Sequence, residues 1–129
     1  MIVAKSFYDT VTGRFHSRWV GPEIEVTANT PAGMSVMDGH HDMNAERVDT
    51  ATGSVVTRAA TPVAASASGL SIVATGLPIG AHYTISGDSV LAGFVADANT
   101  TFAFSLAGTY TLWVECFPEL DYMQEFTLT

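Results

Sequence analysis

The segment GHHD at Gly39–Asp42 places two imidazoles beside a carboxylate, and all three side chains are of types that bind metal ions. Neighbouring residues of a strand point to opposite faces, so His40 and His41 can share one ion only if they lie in a loop. The other histidines, His16 and His82, are isolated, and no H-x-x-x-H, C-x-x-C or H-E-x-x-H spacing is present. The sequence therefore predicts no metal site and no cofactor, and leaves the role of the histidine pair open.

Cys116 is the single cysteine, so the chain cannot form an internal disulfide. It lies in the apolar run TLWVECF with no cationic neighbour that would lower the pKa of its thiol, which predicts a buried and unreactive side chain. The sequence contains no G-x-S-x-G, P-loop or G-x-G-x-x-G motif, and its carboxylates are scattered over loops and strand ends. We therefore expect no catalytic residues and no enzymatic activity.

The pattern D-T-x-T-G occurs twice between apolar residues, at Asp9–Gly13 and at Asp49–Gly53. Asp and Thr side chains bond to backbone amides two or three residues further on, and Gly accepts the positive φ that closes a tight reversal. The repeat predicts two hairpin turns whose defining residues are Asp9, Gly13, Asp49 and Gly53. A ligand-binding role for these loops is the alternative.

Strand patterns cover most of the chain. Before residue 61 they are FHSRWV, EIEVT and MSVM, and HDMNAER is the one segment that suggests a helical turn. After residue 69 they are LSIVAT, HYTIS, SVLAGFVAD, TFAFSL, TYTLWVECF and MQEFTLT, at the spacing of roughly ten residues that is typical of an antiparallel sandwich. TPVAASASG between the two groups has the composition of a linker.

These patterns predict an all-β, antiparallel fold with two parts. Residues 1–61 would form an N-terminal β-hairpin or meander region, and residues 62–129 an immunoglobulin-like β-sandwich. A β unit of the first size buries little apolar surface, so we expect it to pack against the second part or against another chain.

Composition excludes several kinds of partner. Of the 129 residues, 47% are hydrophobic and only 14% charged, which indicates a folded protein with a sparsely charged surface. Five Lys and Arg against 13 Asp and Glu give a net charge of −8 without a basic cluster, so we expect no nucleic-acid partner. The uncharged stretch 59–87 is broken by Pro and Gly, and MIVAKSFYD lacks the apolar core of a signal peptide. We therefore expect no membrane partner.

Large aromatic side chains are the candidate contact groups. Along GTYTLWVECFP, one face would carry Tyr110, Leu112, Val114 and Cys116, and the other Trp113 and Phe117. The second face either covers the first part of the chain or contacts another subunit, since large aromatics are enriched at interfaces. The same alternatives apply to Trp19. The candidate subunit interface is Trp19, Trp113 and Phe117, with the acidic loops at Glu23, Glu25, Glu119 and Asp121 as second choice.

Three segments, TGRF, GHHDMNAERVDTATGSVV and GTYTLWVECFPELDYMQEFTLT, resemble a group of small tailed-bacteriophage proteins encoded near tail-fibre genes. The group pattern is T-G-R-[ILF], then G-x-x-D-x-x-x-x-[YR]-V-D-x-x-T-G-x-V, then P-G-T-Y-T-[VL]-x-V. An aromatic or Pro-rich run that ends in an Asp-Tyr or Asp-Lys pair follows before the last strand. The middle of the chain does not match, Ala107 replaces the usual proline, and His40 and His41 replace less distinctive residues. The matching positions are Thr12, Gly13, Arg14, Gly39, Asp42, Val48, Asp49, Thr52, Gly53, Gly108, Thr109, Tyr110, Phe117, Pro118 and Asp121.

The resemblance implies a structural virion protein, namely a tail or tail-fibre connector that works by protein–protein contacts without catalysis. Its partners would be other virion proteins, such as tail, baseplate or fibre subunits, with multiple copies per particle. It would be made in the host cytoplasm and located in the virion. The alternatives are a capsid decoration protein, a tail-fibre assembly chaperone, and a carbohydrate-binding β-sandwich module in which Trp19 or Trp113 stacks on a sugar ring.

Overall fold

A computed structural model describes all 129 residues and contains twelve β-strands, one 3₁₀ turn and one four-residue helix. Every strand pairing is antiparallel, so the predicted all-β, antiparallel class is confirmed. The chain forms two compact units, Met1–Arg58 and Ala59–Thr129. The predicted boundary, after residue 61, lies three residues beyond the observed boundary after Arg58.

The first unit contains a three-stranded sheet of order β2-β1-β3 and a separate hairpin, β4-β5. Its buried apolar side chains are Phe7, Phe15 and Val48, and Ser6 and Arg58 are buried with them. The elements are β1 (Ile2–Asp9), β2 (Phe15–Pro22), a 3₁₀ turn (Glu23–Glu25), α1 (Val26–Asn29), β3 (Met34–Asp38), β4 (Glu46–Asp49) and β5 (Ser54–Thr57).

The strand predicted at EIEVT is wrong, because this segment forms the 3₁₀ turn and the start of α1. Pro22 ends β2 with φ −61° and ψ 134°, and the chain turns directly into helical conformation after it. Glu23 and Glu25 lie in the first turn, where carboxylates are favourable near the free backbone amides. Ile24 is 92% exposed, so its alternation with Val26 does not mark a buried face.

The segment HDMNAER makes a single turn before it enters β4. The amides of Ala45 and Glu46 both donate to the carbonyl of Asp42, at 3.1 and 2.8 Å. No helix follows, because Glu46 already pairs with Thr57 in the β4-β5 hairpin.

The second unit contains a three-stranded sheet of order β10-β7-β6 and a four-stranded sheet of order β12-β11-β8-β9. Buried residues of both sheets form one continuous hydrophobic core, so the unit is a β-sandwich-like body. Its strands are β6 (Ala64–Ser68), β7 (Ser71–Thr75), β8 (His82–Ser86), β9 (Leu91–Phe94), β10 (Thr100–Ala103), β11 (Gly108–Val114) and β12 (Tyr122–Leu128).

The linker predicted at TPVAASASG is wrong over most of its length. Ala64–Ser68 is β6, which pairs with β7 through a turn that contains Gly69 at φ +57°. The hydrogen bonds between β6 and β7 join backbone groups, so they form although the side chains of β6 are small. Of the residues of this edge strand, only Ala65 packs against the core.

β11 is the central strand of the core. Tyr110, Leu112 and Val114 are 0% exposed, and Cys116 just beyond the strand is 1% exposed, so the predicted inward face is confirmed. The Tyr110 hydroxyl donates to the carbonyl of Leu106 at 3.0 Å, which ties the loop before β11 to the strand.

Candidate interaction surfaces

Trp113 lies on the outward side of the four-stranded sheet. It pairs with Met123 on β12 and with Thr84 on β8, and Thr84 pairs with Ala92 on β9. Side chains directly opposite each other in antiparallel strands point to the same face, so these four residues form a row across the sheet. Trp113 is 38% and Met123 68% exposed, so the row presents an aromatic ring and a thioether to the surface.

Phe94 lies two residues from Ala92 on the edge strand β9, on the same face and in the next row across the sheet. It pairs with His82, and the two rings contact each other edge to face with centroids 5.4 Å apart. Phe94 is 72% exposed. We call the surface formed by Thr84, Ala92, Phe94, Trp113 and Met123 the outer face.

Carboxylates border the outer face. Glu115 follows Trp113 by two residues, and Glu125 follows Met123 by two residues and pairs with Thr111. Because alternate residues of a strand share a face, both carboxylates lie on the same side of the sheet as the apolar row. The outer face therefore combines an apolar centre with acidic neighbours.

Trp19 and Phe117, the other two predicted interface residues, are half-buried. The Trp19 ring lies over Gly21, where a Cβ would be only 2.6 Å from the ring, so much of this side chain packs within its own strand. Phe117 lies three residues beyond the end of β11. None of the three predicted aromatics is fully buried within its unit, and Trp113 is the most exposed.

Sequence reasoning missed Met123 and Phe94. Each alternates with inward-facing neighbours, which is a detectable signal, but their position on the same face as Trp113 depends on strand order and register. The alternation within one strand reveals neither the order of the strands nor their register.

In both predicted turns, the aspartate side chain accepts hydrogen bonds from backbone amides of the same turn. The Asp9 carboxylate accepts the amides of Val11 and Thr12 at 2.8 and 2.9 Å, and these hydrogen bonds hold the pKa of Asp9 below its usual value. The Asp49 carboxylate accepts the amide of Ala51 at 3.0 Å. Gly13 and Gly53 have φ of +79° and +75°, the conformation that the turn pattern predicts.

The GHHD loop is held by a buried serine. The Ser6 hydroxyl donates to the carbonyl of Gly39 at 2.8 Å and accepts the amide of His41 at 2.9 Å. Arg58, which is 2% exposed, donates to the carbonyl of Met43 at 3.0 Å and so fixes the other end of the loop. Glu46 also binds this loop, since it accepts the amide of Asp42 at 3.2 Å.

The two imidazoles of this loop have different partners. The His41 ring stacks on Phe15 with centroids 5.0 Å apart, and its Nε2 lies 2.9 Å from the carbonyl oxygen of Asp38. The His40 Nε2 lies 3.3 Å from the carbonyl oxygen of Trp19. No group of three or more His, Cys, Asp or Glu side chains is arranged to hold a metal ion.

A cleft of about 310 Å³ separates this loop from the start of β2. Phe15 to Arg18 line one side and His41 to Asn44 the other. Arg18 closes one end by donating from Nε to the carbonyl of His41 at 3.2 Å. The volume is at the lower limit for a small-molecule site, and the lining contains both Arg18 and Asp42, so the cleft does not favour a ligand of one charge.

Cys116 is buried, and desolvation raises the pKa of its thiol. The sulfur lies 3.5 Å from the carbonyl oxygen of Val114 and 3.7 Å from the Thr61 hydroxyl. A protonated thiol with these neighbours is a packing group rather than a nucleophile.

None of the helical segments has the length and apolar character needed to cross a membrane. Comparison with known proteins gives no match to a family model, a curated protein or a solved structure. The function is therefore inferred from the surfaces of the molecule.

Proposed function

We propose that this protein is a structural, non-catalytic assembly protein of a tailed bacteriophage that connects tail or tail-fibre subunits. The observation that carries the proposal is the outer face, on which Trp113, Met123 and Phe94 are exposed together on one sheet. Trp, Phe and Met are enriched at the centres of protein interfaces, and an apolar patch with a polar rim is typical of a docking surface.

The resemblance of the TGRF, GHHDMNAERVDTATGSVV and GTYTLWVECFPELDYMQEFTLT segments supports the assignment to a tailed phage. The partners would be tail, baseplate or fibre subunits, and the protein would be present in multiple copies in the virion. Capsid decoration and a role as fibre-assembly chaperone are the alternatives within this class.

We further propose that the second unit is an immunoglobulin-like sandwich. Two observations support this. The strand order places three strands, β10-β7-β6, against four, β12-β11-β8-β9, as in sandwiches of this kind. The Tyr110 hydroxyl also binds the backbone four residues upstream, which matches the tyrosine corner at the start of the penultimate strand.

A carbohydrate-binding module is the second candidate, because Trp113 presents a ring on a sheet face. Sugar recognition also needs hydrogen-bonding groups beside the ring. Thr84 and Glu115 offer such groups beside Trp113, but the exposed Met123 and Phe94 extend this surface with apolar groups instead. The geometry therefore favours a protein partner.

The test is incorporation of variants into phage particles, measured as copy number by mass spectrometry. Trp113→Thr and Met123→Thr truncate the outer face while keeping residues that suit a strand. Val20→Thr is the matched control, since Val20 is also exposed on a strand, at 58%, but lies in the first unit. Loss of a central aromatic anchor costs about 2 kcal/mol of association, so Trp113→Thr should reduce incorporation strongly.

The melting temperatures of the three variants should remain close to that of the unchanged protein, because none of the three side chains is part of the buried core. Normal incorporation of Trp113→Thr would contradict the proposal. Wild-type protein that is required for assembly but absent from the finished particle would identify a chaperone. Specific binding to a glycan array that Trp113→Thr abolishes would identify the carbohydrate-binding module.

A further inference from the structure

β9 is the outermost strand of the four-stranded sheet and pairs only with β8. The amide of Val95 donates to the carbonyl of Ala81 at 2.8 Å on the β8 side. Since successive amides of a strand point in opposite directions, those of Ala92 and Phe94 point away from β8. The edge therefore offers backbone donors and acceptors to another strand.

Of the features that usually block strand addition, this edge has only short length, because β9 contains four residues. Lys, Pro, inward-pointing charges and bulges protect most edge strands. Ser89–Ala96 reads SVLAGFVA, with no charged residue and no proline. Val90 is 74%, Leu91 39% and Phe94 72% exposed, so the edge is also apolar.

A groove of about 370 Å³ lies beside the end of β9. It is lined by Tyr83, residues 94–97 and residues 99–102. The rings of Tyr83 and Phe102 contact each other there, with centroids 4.9 Å apart. A strand added at β9 would direct alternate side chains to the inner side of the sheet, where this groove can receive them.

The charges of the second unit define the chemistry of the added strand. The five Lys and Arg residues all lie at or before Arg58, so residues 59–129 contain none. The carboxylates of the unit are Asp88, Asp97, Glu115, Glu119, Asp121 and Glu125. Asp88 and Asp97 are exposed and bracket the uncharged edge segment.

A second copy of this chain is a poor match for the edge. Antiparallel pairing of two β9 strands about Gly93, with Ala92 opposite Phe94, would bring Asp97 of each copy beside the Asp88 of the other copy. A segment with Lys or Arg at both ends would place opposite charges there instead.

We propose that the open edge of β9 accepts an extended segment of a partner protein as an added strand, apolar in its middle and carrying Lys or Arg at both ends. The inference rests on the proposed function, because it specifies how a virion partner engages the sheet that carries the outer face.

The test uses the full-length protein and two synthetic peptides, KKTVTVTVKK and EETVTVTVEE. In NMR titrations, the lysine peptide should shift the amide signals of Leu91–Phe94, and its binding should weaken with added salt. The glutamate peptide should bind at least about tenfold more weakly. Ala92→Pro removes a donor on the open side and should abolish binding of the lysine peptide, because proline is tolerated only where no ladder bond is needed.

Asp88→Asn combined with Asp97→Asn is the second variant and keeps the test valid if Ala92→Pro does not fold. It should bring the affinities of the two peptides close together. Equal affinities of both peptides for the unchanged protein, or signal shifts elsewhere in the chain, would overturn the inference. Self-association that Ala92→Pro abolishes would also overturn it, because a second copy would then occupy the edge.

The edge site and the proposed function can fail separately. If neither peptide binds but Trp113→Thr still prevents incorporation, the edge inference is wrong and the proposed function stands. If the lysine peptide binds at Leu91–Phe94 but Trp113→Thr is incorporated normally, the edge site is real and the proposed function is wrong.

Discussion

The carbonyl of Gly13 accepts a hydrogen bond from the amide of Val48 at 2.8 Å, and a Cβ on Gly13 would lie only 2.0 Å from the Val48 carbonyl oxygen. An isolated bridge between Arg14 and Arg47 lies beside this contact. The first D-T-x-T-G turn is therefore fixed to β4, whereas Gly53 in the second has open space where a Cβ would be. The same sequence pattern therefore forms one hairpin turn that packs against a neighbouring strand and one whose glycine has no such neighbour.

This difference predicts unequal costs for the same substitution. Gly53→Ala should lower the free energy of unfolding by about 1 kcal/mol, the cost of a positive φ at a residue with a Cβ. Gly13→Ala adds a clash with backbone and should cost roughly 3 kcal/mol or more. Urea unfolding of both variants measures the difference. Equal losses would mean that the Gly13–Val48 contact does not restrain the turn.

The sequence was sufficient to predict the features that depend on local periodicity and turn chemistry. The inward face of β11 follows from strict alternation, and the two turns follow from Asp, Thr and Gly at fixed offsets. The strand prediction for EIEVT was wrong because a stretch this short fits a strand and a helical turn equally well. Pro22 ends β2 just before it, and helical conformation follows.

Features that depend on pairing could not be predicted. Ala64–Ser68 forms a strand because β7 provides a partner, not because its side chains favour one. The neighbours of Trp113 on the outer face, and the contact of Gly13 with Val48, connect residues that are far apart in sequence. A single sequence does not specify which strands are adjacent.

Acid should remove a stabilising contribution of Asp9. The amides of Thr12 and Val11 hold the folded-state pKa of Asp9 below 3.8, its ordinary value. The carboxylate therefore stabilises the folded protein above pH 3.8, and this contribution is lost as the pH falls through the lower, folded-state pKa. Asp9→Asn should be less stable than the unchanged protein at neutral pH, and the difference should shrink in acid. Unfolding by urea across this range, with an NMR titration of the carboxyl carbon, measures it. A difference independent of pH would show that charge is not involved.

The two histidines of the GHHD loop should contribute unequally to stability. His41→Ala removes a ring stacked on Phe15 and a hydrogen-bonding group, so it should cost about 1–2 kcal/mol. His40→Ala changes an exposed side chain and should cost less than about 0.5 kcal/mol. Thermal unfolding with and without EDTA is the accompanying measurement, and the melting temperature should not change. A decrease with EDTA that His40→Ala or His41→Ala removes would identify a metal site.

Cys116 should react slowly with thiol reagents in the folded protein. Burial raises the pKa of the thiol, so the folded state holds the proton more tightly than the unfolded chain. The contribution to stability is present below the ordinary pKa of 9.0 and is lost as the pH rises above it, where the unfolded thiol ionises first. Cys116→Ala should flatten the loss of stability at alkaline pH. Rapid labelling of Cys116 without denaturant would contradict the buried position.

The hydrogen bond from Tyr110 to Leu106 should stabilise the loop before β11. The Tyr110 ring is 0% exposed and stacks on Phe104 with centroids 4.3 Å apart, so Tyr110→Phe keeps the packing and removes only the hydroxyl. The expected loss is about 1 kcal/mol, the usual net value of such a bond. Tyr122→Phe is the matched control, because its hydroxyl binds the exposed side chain of Gln124, which water can satisfy instead. Urea unfolding should show a lower midpoint for Tyr110→Phe with an unchanged slope, and little change for Tyr122→Phe. An unchanged midpoint for Tyr110→Phe would mean that the bond to Leu106 is dispensable, and that stacking on Phe104 is sufficient to position Tyr110 in the core.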